Sequence, residues 1–267
     1  MNIAYLGPKD SFSHIAALKF QGAGDKLTEF PTITRALLGI GGECEAAVVP
    51  FENSSEGGVS DTLDALIAGE GLFINYEYGL KIEHRLLTYQ GAGLNEIKTV
   101  VTHRQAYGQC RETIARILPG AEIVFADSTS AAAKAVKDKS TAAIGGVRLA
   151  AGGLEASDFT VNDQKDNRTR FIFVSGRNTP DPRNDKTTVV FESENKPGGL
   201  MKLLKIFEEH NINMTRIESR PRKDIMDRYL FIVNITGGVL DRNISHALKR
   251  IRERTVYYKF LGCYKEV

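Results

Sequence analysis

The sequence predicts an α/β protein in which a two-lobed domain is followed by a small domain of β-α-β-β-α-β order. Three observations support this fold class. Short apolar runs alternate with helix-period stripes up to about residue 175, a polar and turn-rich segment follows, and a compact series of strands and helices closes the chain. A length of 267 residues is enough for two domains, each with its own core.

The first part of the chain alternates strands and helices in the way that largely parallel α/β sheets require. Each predicted strand is a short apolar run that leads through polar or small residues into a helical stripe. These runs lie at residues 2–7, 46–50, 99–102, 122–125 and 142–144. We therefore expect loops at the carboxyl ends of the strands to lead into helix N-termini, which is where such sheets bind ligands.

The alternation breaks at residues 72–90, where two strand-like runs stand back to back. We interpret this stretch as the crossing from one lobe to a second, and residues 170–174 as the return to the first. The first lobe then comprises about residues 1–78 plus 160–178, and the second about 79–159. Two lobes joined by paired crossings enclose a cleft.

A polar segment rich in Pro, Asn and Asp ends the first domain, and we take residues 179–185 as a linker between domains of residues 1–178 and 186–267. Predicted strands at 187–191, 212–217, 229–235 and 256–263 flank two helical stripes in a ferredoxin-like order. Glu218–Pro221 is expected to form a polar turn after the second of these strands. Because a sheet this small leaves an edge or face that needs cover, pairing with a second copy of the chain is favoured.

Composition excludes several classes of function. The net charge of +2 and the lack of basic runs interleaved with aromatics argue against nucleic-acid binding. Three widely spaced cysteines are no disulfide framework and fit a reducing cytoplasm, and no leader-like or membrane-length apolar segment is present. His103 and Cys110 alone do not make a zinc site. His84, His210 and His246 are interpreted as surface or packing residues.

Three junctions between a strand and a helix are rich in Ser, Thr and Asn: residues 7–13, 52–58 and 127–130. Any one of them is explained by ordinary helix capping. Together they predict a site for a small anionic ligand, and a carboxylate is favoured over a nucleotide because helix N-termini and hydroxyls suit anions while no dinucleotide or phosphate loop is present.

The ordered motifs identify a resemblance to the prephenate dehydratase family over almost the whole chain. The two most specific are Asn167–Phe171 (Asn-Arg-Thr-Arg-Phe) and Glu218–Pro221 (Glu-Ser-Arg-Pro). Further blocks that resemble the family lie at residues 7–13, 48–54, 102–105, 109–110, 128–132 and 142–144. The resemblance implies a periplasmic-binding-protein-like catalytic domain followed by an ACT regulatory domain. Because the chain begins at its first strand, we expect a monofunctional enzyme.

This resemblance implies that the protein converts prephenate to phenylpyruvate in L-phenylalanine biosynthesis, without a cofactor or metal, and that L-phenylalanine regulates it. Thr169 is the expected catalytic residue. The expected substrate-binding residues are Ser11, Asn53, Ser54, Thr62, His103, Gln105, Ser128, Thr129, Arg170 and Phe171, with Arg170 as a fixed cation. The expected phenylalanine-binding residues are Gly198, Gly199, Leu200, Asn213, Glu218, Ser219 and Arg220, at a homodimer or homotetramer contact between ACT domains.

The chain departs from the family's pattern at Asp10, Arg104 and Gly199, where the family usually has Gly, Pro and Ala. The first two are expected to alter the mouth of the cleft and the third to loosen the effector loop. Two other functions stay open at this level: a dehydratase that acts on arogenate, and a non-catalytic cytosolic sensor of carboxylates or amino acids.

Overall fold

Two β-sheets with helices packed on their faces build the protein, and the computed structural model describes residues 1–222 and 224–267. The first lobe contains β1 (Asn2–Leu6), α1 (Phe12–Phe20), β2 (Lys26–Phe30), α2 (Ile33–Leu38), β3 (Ala46–Asn53), β4 (Gly57–Gly58), α3 (Ser60–Ala68) and β5 (Phe73–Lys81). The second contains β6 (Arg85–Tyr89), β7 (Thr99–Thr102), α4 (Arg104–Gly108), α5 (Arg111–Ile117), β8 (Glu122–Phe125), α6 (Thr129–Ala135), β9 (Thr141–Gly145) and β10 (Leu154–Thr160). The chain continues with β11 (Arg168–Ser175), β12 (Lys186–Glu192), α7 (Gly199–Glu209), β13 (Met214–Pro221), β14 (Tyr229–Thr236), α8 (Arg242–Arg254) and β15 (Tyr257–Glu266).

The larger sheet has the strand order β13-β14-β12-β15-β5-β11-β3-β1-β2, with β4 attached to β3. β1 runs parallel to both β2 and β3, whereas β11 lies antiparallel between β3 and β5. The C-terminal strand β15 joins β5 in parallel through Lys265↔Tyr76 and Glu266↔Glu77. The sheet of the C-terminal domain therefore continues the sheet of the first lobe.

The smaller sheet has the order β10-β6-β9-β7-β8 and forms the second lobe. Its β7 is parallel to β8 and β9, but β6 is antiparallel to β9 and β10. The expectation of largely parallel sheets thus holds for the strands linked by helices. It fails for β6, which is antiparallel to β9 and β10, and for β11, which is antiparallel to β3 and β5. These two strands enter and leave a lobe at the crossings.

The predicted crossing at residues 72–90 is observed as β5 in one sheet and β6 in the other. Besides the two-residue strand β4, the strands that the sequence analysis did not predict are β2 and β10. Both lie at the edge of their sheets and are largely exposed, so their sequences do not carry the apolar run of a buried strand.

The C-terminal domain has the predicted β-α-β-β-α-β order, with one difference at the second strand. β13 begins at Met214 and extends to Pro221, so Glu218–Pro221 lies within a strand instead of a turn. β13 is also the outer strand of the whole sheet. Its side chains alternate between partly covered and exposed, which places successive motif residues on opposite faces.

The first lobe and the C-terminal domain share one hydrophobic core. Val49, Phe51 and Ile74 pack in the same buried cluster as Ile232 and Tyr264. Glycine at position 262 permits the join, because φ is +146° there and a β-carbon would overlap the backbone of Ile74. The two units are therefore fixed to each other by packing as well as by strand pairing.

Candidate active site

A cleft of about 460 Å³ lies between the two lobes and collects most of the predicted site residues. Its lining includes the carboxyl end of β3 and the adjacent amino end of antiparallel β11 from the first lobe, and the N-terminal ends of α4 and α6 from the second. Those of the predicted substrate-site residues that line it are Ser11, Asn53, His103, Gln105, Ser128, Thr129, Thr169 and Phe171. The predicted position of the site, at strand ends that lead into helices, is the position that the structure gives this cleft.

Asn53 and Thr169 form the central pair of the cleft. They are register partners on antiparallel β3 and β11, and Asn53 Nδ2 donates a hydrogen bond of 2.9 Å to Thr169 Oγ1. The oxygen and nitrogen of the Asn53 side-chain amide cannot be exchanged, because Oδ1 accepts a hydrogen bond from the backbone N–H of Ser55 at 2.9 Å. Since Thr169 Oγ1 is thereby an acceptor from Asn53, its own O–H remains available to a ligand.

A chain of amides extends this pair across the cleft to the second lobe. Asn53 Nδ2 also donates to Asn167 Oδ1 at 2.9 Å, and Asn167 Nδ2 donates to Gln109 Oε1 at 2.7 Å. Gln109 Nε2 then donates to Glu56 Oε1 at 2.9 Å, and Gln105 Nε2 donates to the other oxygen of Glu56. These bonds tie the loop after β3 to helix α4, so the lobes are held together at the cleft itself.

His84 lies at the back of the cleft and is buried, with 4 % of its surface exposed. Its ring nitrogen Nε2 lies 3.2 Å from Gln109 Oε1, and its ring packs edge-on against Phe12 at 5.4 Å between centroids. Because Gln109 Oε1 is an acceptor, Nε2 carries the proton. Burial lowers the pKa of His84 from 6.5 to about 4, so the imidazole is neutral near pH 7.

Hydroxyl groups from two helix N-termini complete the polar lining. Ser11 caps α1 by accepting the N–H of His14 at 3.2 Å, and Ser128 caps α6 by accepting the N–H of Ala131 at 3.0 Å. Thr129 follows Ser128 at the start of α6. Within the part of the chain that the structure describes, no lysine or arginine lines this cleft. Anion binding there depends on hydroxyls, amides and backbone N–H groups.

Three predicted substrate residues, Ser54, Thr62 and Arg170, do not line this cleft. Thr62 is fully buried, and its hydroxyl donates to the carbonyl of Pro50 at 2.6 Å, so it fixes α3 to β3. Ser54 and Arg170 line a different cavity, on the side of the sheet that faces the C-terminal domain. Arg170 pairs there with Glu52 at 3.6 Å and Glu77 at 3.7 Å. Strand alternation explains this, because Thr169 and Phe171 face the cleft and the residue between them must face away.

The predicted effector residues are also divided between two places. Gly198, Gly199 and Leu200 line a cavity of about 460 Å³ in the C-terminal domain, together with Tyr229 and Phe231. A β-carbon at Gly199 would overlap the carbonyl of Glu194, so glycine lets this loop close tightly where looseness was expected.

The strand residues of the effector set lie on β13 and the loop before it. Asn213 and Ser219 are exposed. Glu218 instead pairs with Arg216, and Arg220 donates to Ser60 Oγ at 3.0 Å and Asp64 Oδ1 at 2.9 Å. Glu218 and Arg220 therefore point towards the first lobe in this structure.

The departures at Asp10 and Arg104 lie beside the cleft and do not line it. Asp10 adopts φ of +65° and its backbone N–H donates to His14 Nδ1 at 3.1 Å. It faces a neighbouring cavity of about 540 Å³ with Lys134 and Arg148, which holds neither the Asn53–Thr169 pair nor the amide chain. Arg104 stacks on Phe125 at 4.3 Å on the second lobe. Asp10 precedes the cleft residue Ser11, and Arg104 stands between the cleft residues His103 and Gln105, so both departures adjoin the cleft.

Sequence reasoning missed His84, Gln109, Asn167 and Glu56 as members of the site. Asn167 and Gln109 lie in motif blocks that carry the family resemblance, but other residues of the motifs were predicted to form the site. His84 has no local signal, because its role follows from burial that only the assembled lobes create.

Metal clusters, membrane-spanning helices and reactive thiols are further features to consider in the described residues. Among residues 1–222 and 224–267, no group of three His, Cys, Asp or Glu side chains is placed to hold a metal ion, and no helix is long and apolar enough to cross a membrane. The three cysteines are free and buried, and burial raises the pKa of Cys110 to about 12, so it is no reactive thiolate.

Comparisons with known proteins match both domains. Residues 3–179 match the family described as prephenate dehydratase, and residues 187–253 match the ACT domain. The chain is 38 % identical to the prephenate dehydratase of Amycolatopsis methanolica, over 98 % of this chain and 88 % of that protein.

Two solved structures extend the likeness to the fold. One is the prephenate dehydratase of Arthrobacter aurescens in complex with L-Phe, with a TM-score of 0.90 and 35 % identity over 99 % of this chain and 90 % of that one. The other is GqqA, described as a novel type of quorum quenching acylase, with a TM-score of 0.87 and 28 % identity over 100 % of this chain and 98 % of that one.

Proposed function

The chain belongs to the prephenate dehydratase family, and from this premise we propose that the cleft between its lobes binds prephenate and that Thr169 acts on the hydroxyl that leaves the ring. One observation carries the assignment of Thr169. Asn53 donates to its oxygen, so the threonine hydrogen is directed to a partner other than Asn53. A hydroxyl held in this way is a preorganised donor for a departing oxygen.

The proposed reaction breaks two bonds of the substrate. The C–C bond to the ring carboxylate breaks and releases carbon dioxide, its electron pair enters the ring, and the C–O bond at the opposite carbon breaks. The departing hydroxide takes a proton that solvent ultimately supplies and leaves as water. Aromatisation of the ring supplies the driving force, so the enzyme's task is to position the substrate and to stabilise charge on the departing oxygen. The proposal needs no cofactor.

Threonine is a poor acid by itself, and the amide network supports a role as hydrogen-bond donor instead of full proton donor. The hydroxyls of Ser11, Ser128 and Thr129 and the free N–H groups at the starts of α1 and α6 are proposed to hold the two carboxylates. Phe171 supplies an apolar wall for the ring. Arg170 is left out of this substrate set because of the contacts described above.

Acyl transfer is a different chemistry, and the geometry does not favour it. An acylase of the usual kind needs a nucleophile activated by an adjacent base. Among the described residues, no serine or threonine hydroxyl of the cleft is hydrogen-bonded to a histidine side chain, and His84 is directed to Gln109. The dehydratase reaction fits the available groups better.

Regulation is proposed to reside in the C-terminal domain. We assign residues 1–178 to the catalytic domain, 179–185 to a linker and 186–267 to a regulatory domain that binds L-phenylalanine, as the Arthrobacter relative does. The outer edge of β13 is unpaired, so two copies can join along it and complete a site between Gly198–Leu200 of one and β13 of the other. We therefore propose a homodimer or homotetramer, located in the cytoplasm, where the free buried cysteines stay reduced.

The experiment that tests this function incubates the purified protein with prephenate and follows phenylpyruvate by its alkaline absorbance, with and without L-phenylalanine. Product that phenylalanine suppresses supports both domains' roles. Product from arogenate alone would change the substrate, and no product from either compound would leave a carboxylate sensor.

A further inference from the structure

The strand pair that carries Asn53 and Thr169 has a charged back surface. Glu52 and Arg170 are the adjacent register partners on β3 and β11, and they form an ion pair of 3.6 Å on the side away from the cleft. Successive residues of a strand share one backbone, so a displacement of Glu52 and Arg170 also displaces Asn53 and Thr169. A β-bulge follows immediately, between Arg170 and Phe171, and bulges are where a strand can redirect a side chain.

This ion pair is the centre of a series of alternating charges that begins in the C-terminal domain, crosses the first lobe and returns to the C-terminal domain. Its members are, in order, Lys186, Glu77, Arg170, Glu52, Arg216 and Glu218. The side chains of Glu77 and Arg216 are only 2 % and 7 % exposed, so salt screens them poorly. Each charge has an oppositely charged neighbour, which is the condition for burying such groups.

Arg216 of β13 joins the regulatory strand to the catalytic lobe. Its Nε lies 3.6 Å from Glu52 Oε1 and its Nη2 pairs with Glu218 Oε2, while the guanidinium stacks on Phe51 at 4.6 Å. The guanidinium and the Glu218 carboxylate lie against glycine at position 58, where a β-carbon would displace the ends of both side chains.

Two atoms of the series have no hydrogen-bond partner among the described residues, Glu77 Oε2 and Arg216 Nη1. Buried polar groups are normally satisfied, and Arg216 reaches Glu52 through Nε and Glu218 through Nη2, so its Nη1 can gain a bond without losing one at that atom. Arg216 thus has the geometry of a group shared between Glu52 and Glu218.

We propose that Arg216 is a positioning residue for the dehydratase reaction, acting through Glu52 on the Asn53–Thr169 pair, and that its division between Glu52 and Glu218 transmits the effector signal. The inference rests on the proposed phenylalanine site. An α-ammonium bound at Glu218 competes with Arg216 for that carboxylate, and the released guanidinium moves its charge to Glu52. The Glu52–Arg170 pair then loosens, and the two cleft residues shift with it. An effector works in this way only if the two arrangements differ in affinity for it.

Double-mutant kinetics test the coupling. Glu52→Gln and Arg216→Gln are each expected to lower kcat about ten-fold with KM changed less than about three-fold, the range of residue couplings between sites. The double variant is expected to be no slower than the slower single variant, because both changes break one link. Arg216→Lys is expected to bind phenylalanine in calorimetry yet to lose most of the inhibition, since an ammonium cannot span two carboxylates as a guanidinium does.

A matched control separates this link from simple docking of the domains. Lys259 of β15 donates to the carbonyl of Ile67 at 2.9 Å, which is also a contact between domains but lies outside the charge series. Lys259→Met should leave kcat and inhibition within about two-fold of the parent, as expected for an independent site. Losses that multiply in the double variant, or an equal loss in Lys259→Met, would overturn the inference while the parent remains a regulated dehydratase. A parent that neither turns over prephenate nor binds phenylalanine would overturn the proposed function and this inference together.

Discussion

Replacing Thr169 by alanine tests whether this hydroxyl acts on the departing oxygen or only binds substrate. In the folded protein the change removes one partner of Asn53 Nδ2, which keeps its 2.9 Å bond to Asn167 Oδ1. The loss of stability is therefore limited to one hydrogen bond and a methyl group, about 1–2 kcal/mol. Fold and cleft should survive the substitution.

The effect on the reaction is expected to be much larger than the effect on binding. Removal of one donor to a developing oxyanion costs about 10²–10³ in kcat, or about 2.7–4 kcal/mol of transition-state stabilisation. KM should change less than about three-fold, since the bond strengthens as charge develops on the oxygen. Thr169→Ser keeps the hydroxyl and should stay within about ten-fold of the parent.

Initial rates of phenylpyruvate formation over a range of prephenate concentrations, with urea unfolding of the same samples, measure all three quantities. A KM that rises by the factor by which kcat falls, or a kcat unchanged by the substitution, would refute the reasoning and leave Thr169 as a binding or structural residue.

Three further predictions follow from contacts outside the central pair. Burial lowers the pKa of His84 in the folded state to about 4 from 6.5, so its contribution to stability is complete above pH 6.5 and is lost as the pH falls towards 4. The free energy of unfolding, measured in urea, should therefore be about 2 kcal/mol lower at pH 5 than at pH 8 because of this group. The His84→Gln variant should lack this difference. Arg170→Gln should leave KM for prephenate within about three-fold of the parent, because the partners of Arg170 are Glu52 and Glu77. A rise in KM beyond about thirty-fold, the cost of losing a buried charge partner, would instead show that Arg170 binds a substrate carboxylate. Ile217→Lys places a charge on the exposed outer strand β13 and should abolish both dimer formation, measured by sedimentation, and phenylalanine binding. Leu240→Lys, at an exposed loop position, should change neither. Phenylalanine bound by a monomer would contradict the proposed shared site.

The sequence predicted the fold class because apolar runs and helical stripes are local signals. Specific motifs led to the expectation that Thr169 and Asn53 belong to one site, and both line the cleft. Arg170 does not line the cleft, for a reason that lies in the sequence itself. Strand alternation places Arg170 on the opposite face of the sheet from Thr169, but the motif was interpreted as one functional unit. Strands β2 and β10 were missed since edge strands need no continuous apolar run.

Other parts of the site depend on contacts that no single segment encodes. His84 becomes a cleft residue only when the two lobes bury it against Phe12 and Gln109. Glu218 and Arg220 are turned towards the catalytic lobe because β13 continues through the motif, and the partners Gly58 and Asp64 come from a distant stretch of chain. Long-range pairing of this kind places the side chains of Glu218 and Arg220 away from the cavity lined by Gly198–Leu200 in this chain.

A crystal structure of the Thr169→Ala variant soaked with prephenate would test the central claim most directly, because the slow variant should hold unreacted substrate. The account predicts substrate between the lobes, with its ring hydroxyl directed at residue 169 and close to Asn53, and its carboxylates near Ser11 and Ser128. Prephenate bound instead in the neighbouring cavity beside Lys134 and Arg148, with the cleft occupied by solvent, would contradict it.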